Sequence, residues 1–142
     1  MNFDEIAMRG LRAVVEVATR EHHVEPTFTG SFGRMRAEDA TALAMIISEL
    51  VQNAVEHGLE DRDGKVEVAV TRETLEGGEE QLTVIITDDG VGLPAGFRPS
   101  LAGLGTRIVT SLATDLKGRI RWENNEPNGT RVEFVARLRP LR

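Results

Sequence analysis

The sequence predicts an α+β domain: a two-layer sandwich with helices packed on one face of a mixed, mainly antiparallel sheet. Three observations predict it. Two neighbouring runs of alternating apolar residues are joined by a polar turn, two more such runs close the chain, and stretches of helical periodicity lie before and between them.

In order along the chain, residues 3 to 20 read as a helix, because Phe3, Ala7, Leu11, Val14 and Ala18 recur at helical spacing. Asn2, with Glu5 three positions on, resembles a capping box. Val24 to Phe32 reads as a short strand, framed by Pro26 and the turn residues from Gly30 to Gly33. A helix follows from Glu38 to His57, with Leu43, Ile46, Ile47, Leu50 and Ala54 on its core face and Gly58 as its stop. Val66, Val68 and Val70 alternate with polar residues over Lys65 to Thr71, as do Leu82, Val84 and Ile86 over Leu82 to Thr87. The polar link from Glu73 to Glu80 carries two glycines, so these two runs form a hairpin. A loop from Asp88 to Gly103 leads to a helix whose apolar side is Ile108, Val109, Leu112, Ala113 and Leu116. Ile120 and Trp122, then Val132, Phe134, Ala136 and Leu138, mark the last two strands. No repeat, low-complexity tract or internal boundary interrupts residues 1–142, which read as one domain.

Composition narrows the function classes. A chain of 142 residues buries one core. A net charge of −6, with 28% charged residues, argues against a nucleic-acid groove and against a polybasic membrane face. An anionic ligand would need its positive charge concentrated locally or supplied by a metal. The absence of cysteine excludes disulfides and thiolate metal sites. No apolar run approaches the ~18 residues of a membrane span and nothing resembles a signal peptide, so a cytoplasmic setting is expected.

Three motifs and a closing dipeptide carry the chemistry. At about 100° per residue, Glu49, Asn53 and His57 fall one turn apart on a stripe bordering the apolar helix face. A carboxylate and an amide oxygen there suit a hard cation such as Mg²⁺, although a polar stripe on a lone helix is ordinarily just a solvated surface. Asp88 ends an alternating run and precedes Asp89-Gly90-Val91-Gly92-Leu93, so its carboxylate emerges where the backbone turns. A buried carboxylate accepts a hydrogen bond from an exocyclic amine, which selects adenine over guanine; the competing reading is a simple turn aspartate. Asp89 reads as the solvated neighbour. Gly103-Leu104-Gly105-Thr106 opens a helix whose free N–H groups suit anions, and the same pattern also serves plain packing. The segment from Pro94 to Ala102 reads as a mobile lid or as an ordinary surface loop. Gly129-Thr130 completes the set, whose order reads as an ATP site without a Walker loop.

The ordered set resembles the GHKL ATPase superfamily, which groups the ATP domains of gyrase, heat-shock-90, histidine kinase and mismatch-repair type proteins. Glu49 to His57 is similar to its N box, Asp88 to Gly92 to its first glycine box, Gly103 to Gly105 to its second, and Gly129-Thr130 to its last. The likeness runs from about residue 38 to 138. The wording from Ser48 to Gly58 and from Leu104 to Val109 most resembles sensor histidine kinases of the cytosolic, actinobacterial PdtaS-like kind.

The resemblance implies a Bergerat-fold sandwich that binds ATP or ADP with Mg²⁺. Asn53 would coordinate the metal, Asp88 would bind the adenine amine, and Gly90, Gly92 and Leu93 would shape the base pocket. Gly103, Leu104, Gly105 and Thr106 would serve the lid and phosphates, and Thr130 would assist near the adenine. Glu49 stands where many histidine kinases have asparagine and gyrase-like branches a water-activating glutamate, leaving its role open between metal support and general base. His57 matches the end of the N box in a packing or hydrogen-bonding role. Glu56 occupies a position that is often basic, so Arg98 or Arg107 is the candidate phosphate contact.

The resemblance further implies a protein histidine kinase of a two-component system. The domain would supply the γ-phosphoryl group to a histidine on a separate dimerisation domain, with a response regulator downstream. No H-R-x-x-N-N type acceptor motif occurs in the chain, and His22 and His23 have an ordinary explanation at a helix end. The expectation is therefore an ATP-binding domain excised from a longer kinase. The alternative is a GHKL-type anti-sigma factor serine kinase. Those proteins begin with a strand, whereas this chain opens on a predicted helix and places a strand before the N box.

Overall fold

The computed structural model describes residues 24–58, 63–97 and 103–138, together with Arg9, which is helical. The rest of the helix read over residues 3 to 20, together with His22, His23 and Arg98, lies outside the described residues. Five strands form one sheet: β1 (Val24–Thr29), β2 (Gly64–Thr74), β3 (Glu80–Asp88), β4 (Arg119–Asn124) and β5 (Thr130–Leu138), in spatial order β1-β2-β3-β5-β4. The β1–β2 pair is parallel and the other three are antiparallel, giving the expected mixed, mainly antiparallel sheet. Among the described residues, two helices, α1 (Ala37–Asn53) and α2 (Leu104–Asp115), pack on one face of this sheet.

Alternation decides which sheet face is covered. Val66, Val68 and Val70 of β2, Leu82, Val84 and Ile86 of β3, and Val132, Phe134, Ala136 and Leu138 of β5 are all buried. They meet Leu43, Ile46, Ile47, Leu50 and Val51 of α1 and Val109 and Ala113 of α2 in a single core. Each of the larger side chains, the valines, leucines, isoleucines and Phe134, contributes about 1.5–3 kcal/mol through its removal from water. The other face is polar: Arg131 pairs with Glu123 at 2.6 Å and with Glu133 at 3.2 Å, and Arg121 reaches Glu133 at 3.3 Å.

Three element readings are corrected. The first strand stops at Thr29 rather than running to Phe32. Gly30 adopts φ +89, and a Cβ there would lie 2.0 Å from the Val70 carbonyl oxygen, so the chain leaves the sheet at a point only glycine fits. Phe32 instead plugs the core at 0% exposure, its ring 5.6 Å from Phe28. The helix read from Glu38 to His57 is α-helical only to Asn53 and continues as a π turn over Ala54–Gly58. The wider turn buries Ala54 and Val55 side by side and breaks the 100° periodicity that aligned His57 with Glu49 and Asn53. Finally, Ile108 is 42% exposed, whereas Val109, Ala113 and Leu116 are buried as expected and Leu112 is half-buried.

Candidate functional site

Between the end of α1, the ends of β3 and β5, and the start of α2 lies a cavity of about 680 Å³. It gathers Glu49 and Asn53 from α1, Asp88 from β3, Gly92 and Leu93 from the following loop, Gly103, Gly105 and Thr106 at the start of α2, and Thr130 from β5. Four chain segments that are far apart in sequence thus converge on one site. Gly90 contributes from behind Asp88, while Leu104 lies on the outside at 71% exposure and does not line the cavity. His57 lies within the π turn.

Asp88 is the best-defined group. It ends β3 opposite Val66 of β2 and is 4% exposed. Its Oδ1 accepts the backbone N–H of Gly90 at 2.9 Å and of Thr130 at 3.2 Å. Both bonds fall on one oxygen, and among the described residues none falls on Oδ2. Burial pushes the Asp88 carboxyl above its ordinary range; the two N–H bonds oppose that and the neighbouring Asp89 adds to it. Thr130 thus acts on the site through its backbone. Asp89 is exposed, as read, but its Oδ1 also accepts the Lys65 N–H at 2.8 Å and fixes the start of β2. Gly129 is required where it stands: φ is +101, and a Cβ would lie 1.8 Å from the Asp88 carbonyl oxygen.

The α1 wall presents hard oxygen donors. Glu49 and Asn53 are half-buried, one helical turn apart, and border the cavity. Glu49 extends to the start of α2, where a Cβ on Gly105 would come within 1.9 Å of its Oε1. Gly105 is therefore a close-approach glycine inside a helix, while a Cβ on Gly103 would meet nothing within 4 Å among the described residues, and its φ of −68 is ordinary. Among the described residues there is no cluster of three or more carboxylates or imidazoles that could hold a metal. The donor set fits Mg²⁺, which takes one or two protein oxygens and fills its octahedron with water and phosphate oxygens.

Sequence reasoning missed several lining residues. Leu50, Ile86 and Val132 supply an apolar floor, and they read in sequence simply as core positions. Phe97 and Trp122 form an aromatic edge with centroids 6.1 Å apart, a meeting of loop and strand that no local pattern signals. Gln52 and Glu56 line the rim and are bonded to each other at 3.0 Å. No basic side chain lines the cavity among the described residues, and Arg107 is exposed outside it. With Glu49, Glu56 and Asp88 all present, a polyphosphate would need a divalent cation to enter.

The family model described as histidine kinase-, DNA gyrase B-, and HSP90-like ATPase matches residues 38–140. The sensor histidine kinase PdtaS of Mycolicibacterium smegmatis is 36% identical over 134 residues, which are 93% of this chain and 26% of that protein. The chain thus spans about a quarter of the length of the PdtaS kinases it matches. The anti-sigma F factor of Clostridium novyi is 30% identical over 116 residues, 73% of this chain and 75% of that protein. Among solved structures, the histidine kinase domain of the Erythrobacter litoralis EL346 blue-light activated histidine kinase matches with a TM-score of 0.82 at 25% identity. That match covers 97% of this chain and 62% of that one.

Proposed function

Because the chain belongs to the histidine kinase-, DNA gyrase B-, and HSP90-like ATPase family, we propose that it binds Mg-ATP and supplies the γ-phosphoryl group to a histidine on a separate dimerisation domain. In this reading it is the ATP-binding domain, residues 1–142, of a longer cytoplasmic two-component kinase that passes the phosphoryl group to a response regulator. Among the described residues no helix is long and apolar enough to cross a membrane.

One observation carries the nucleotide assignment: a buried carboxylate with one oxygen anchored twice and the other unbonded among the described residues. Oδ2 of Asp88 accepts the exocyclic amine of adenine, whereas guanine would set a carbonyl oxygen against it. Leu50, Ile86 and Val132 contact the base, and Gly92 with Leu93 shapes the edge of the pocket. Asn53 and Glu49 hold the metal, and the backbone at Gly103, Gly105 and Thr106 faces the phosphates. Bound Mg²⁺ supplies the charge neutralisation on which phosphoryl transfer depends. The chain's own contribution is to hold the nucleotide in line for a nitrogen brought by another domain.

The first test is titration with ATP, ADP and GTP, with and without Mg²⁺, followed through Trp122 at the cavity edge. ATP and ADP are expected to bind with Mg²⁺, GTP much more weakly, and Asn53→Ala to lose the Mg²⁺ dependence. Equal affinity for GTP would overturn the adenine assignment. A second reading, a serine kinase acting as an anti-sigma factor, is favoured by the likeness to the Clostridium novyi protein across most of its length. Acid-labile phosphohistidine on a kinase hairpin supports the first reading, and phosphoserine on an antagonist protein supports the second.

A further inference from the structure

The hairpin between β4 and β5 reads Asn124-Asn125-Glu126-Pro127-Asn128-Gly129-Thr130, and its three asparagines all reach the loop that follows Asp88. Asn124 Oδ1 accepts the Leu93 N–H at 2.9 Å. Asn128 Nδ2 donates to the Asp89 carbonyl at 2.6 Å, and Asn125 Nδ2 reaches the Asp88 carbonyl at 3.5 Å. The hairpin closes on itself through the Asn125 N–H and the Gly129 carbonyl at 2.8 Å. Asp88 at the end of β3 and residues 89 and 93 of the loop beyond it are therefore held by side chains from a segment more than thirty positions away.

We propose that Asn124 and Asn128 are positioning residues that set the adenine selectivity of the site, acting through the Asp88–Leu93 loop. This rests on the adenine reading of Asp88 given above. The two asparagines grip opposite ends of the loop and use opposite chemistry: an acceptor at 124 and a donor at 128. Gly92 has no side chain, its φ is +82, and a Cβ there would come within 2.9 Å of Asn124 Oδ1, so the acceptor reaches the loop only because residue 92 is glycine. With both ends fixed, the Asp88 carboxylate and the Gly92–Leu93 edge keep one spacing to a flat ligand. Released, the loop admits either purine, because discrimination depends on carboxylate and base edge meeting at hydrogen-bond distance.

The polarity difference supplies the test. The ratio of ADP to GDP affinity is measured with Mg²⁺ for the intact chain, Asn124→Ala, Asn128→Ala, Asn124→Asp and Asn128→Asp. Using a ratio cancels changes in charge at the phosphates. Each alanine variant is expected to lower the ratio about fivefold, the worth of one net hydrogen bond. Asn124→Asp keeps an acceptor and restores the ratio; Asn128→Asp has no donor and does not. An intact chain with no preference for ADP overturns the adenine reading itself. A preference that is lost in Asp88→Asn but unchanged in both alanine variants overturns the positioning role alone. Lowered melting temperatures with an unchanged ratio, or equal rescue by both aspartates, overturn it as well.

Discussion

Replacing Gly105 by alanine separates two quantities that usually fall together, fold stability and metal-assisted nucleotide binding. A Cβ at this position lies 1.9 Å from Oε1 of Glu49, 2.6 Å from Cδ and 3.2 Å from Oε2. Oε1 must move from 1.9 Å to at least the 3.4 Å of ordinary contact, a retreat of about 1.5 Å. The obstructing atoms are the far end of a flexible side chain, so the carboxylate swings away and the backbone stays. Alanine is a better helix former than glycine by up to ~1 kcal/mol in a helix interior, and residue 105 is the second residue of α2. Melting is therefore expected to hold or rise slightly. On the proposed role of Glu49, the displaced carboxylate would withdraw its support from a metal held with Asn53, and a loss on the order of 10–100-fold in metal affinity is expected. ADP titrations at increasing Mg²⁺, read through Trp122, give the Mg²⁺ midpoint for the intact chain, Gly105→Ala, Glu49→Ala and the double variant. If alanine acts through Glu49, the double variant is no worse than Glu49→Ala. An unchanged midpoint in Gly105→Ala, or effects that simply add, refutes the reasoning.

Asp88 gives a pH prediction with two signs. Its carboxyl is raised above the 3.8 of an unperturbed aspartate by burial, so the folded chain holds this proton more tightly than the unfolded one. Its contribution to stability is greatest below the unfolded value and is lost as pH rises through the folded pKa. Asp88→Asn should therefore melt higher than the intact chain at about pH 7, with the gap closing towards about pH 4. On the proposed role of Asp88, adenine binding is expected to move the other way, weakening in the intact chain as pH falls through the folded pKa, because the protonated carboxyl is a poorer acceptor. Melting curves and ADP titrations across that range check both. Gly129→Ala, with φ +101 and backbone 1.8 Å from the new Cβ, should destabilise by about 2–4 kcal/mol in denaturant unfolding. Gly103→Ala, with nothing within 4 Å, should stay within about ±0.5 kcal/mol in the same assay.

The sheet and its covered face were legible because a strand's period of two and a helix's stripe are local properties. Val66, Val68 and Val70 point inward for the same reason as Leu82, Val84 and Ile86, and each alternation is visible within a few residues. Local period failed where the surroundings change along one element. Ile108 belongs to the apolar stripe read for α2 yet, near the start of that helix, it is 42% exposed. The π turn after Asn53 shifts every later residue around the helix axis, which regular spacing cannot anticipate. The Phe97–Trp122 edge and the asparagine grip depend on the loop after β3 meeting β4 and the hairpin beyond it, and no pattern within either segment encodes that meeting.

By itself the sequence determined the residue types of the site: a carboxylate at a strand end, an amide and a carboxylate on a helix, and glycines where the chain turns. Those choices are chemical and are written in single letters. Tertiary structure alone decided what each can do. It commits one oxygen of Asp88 to Gly90 and Thr130 and leaves the other without a partner among the described residues, and it lays the Glu49 carboxylate where Gly105 has no side chain. Thr130 is 42 positions from Asp88, and Gly105 belongs to a different helix from Glu49. Distances between such segments are set by how the sheet and helices close over one core, and no spacing along the chain encodes them.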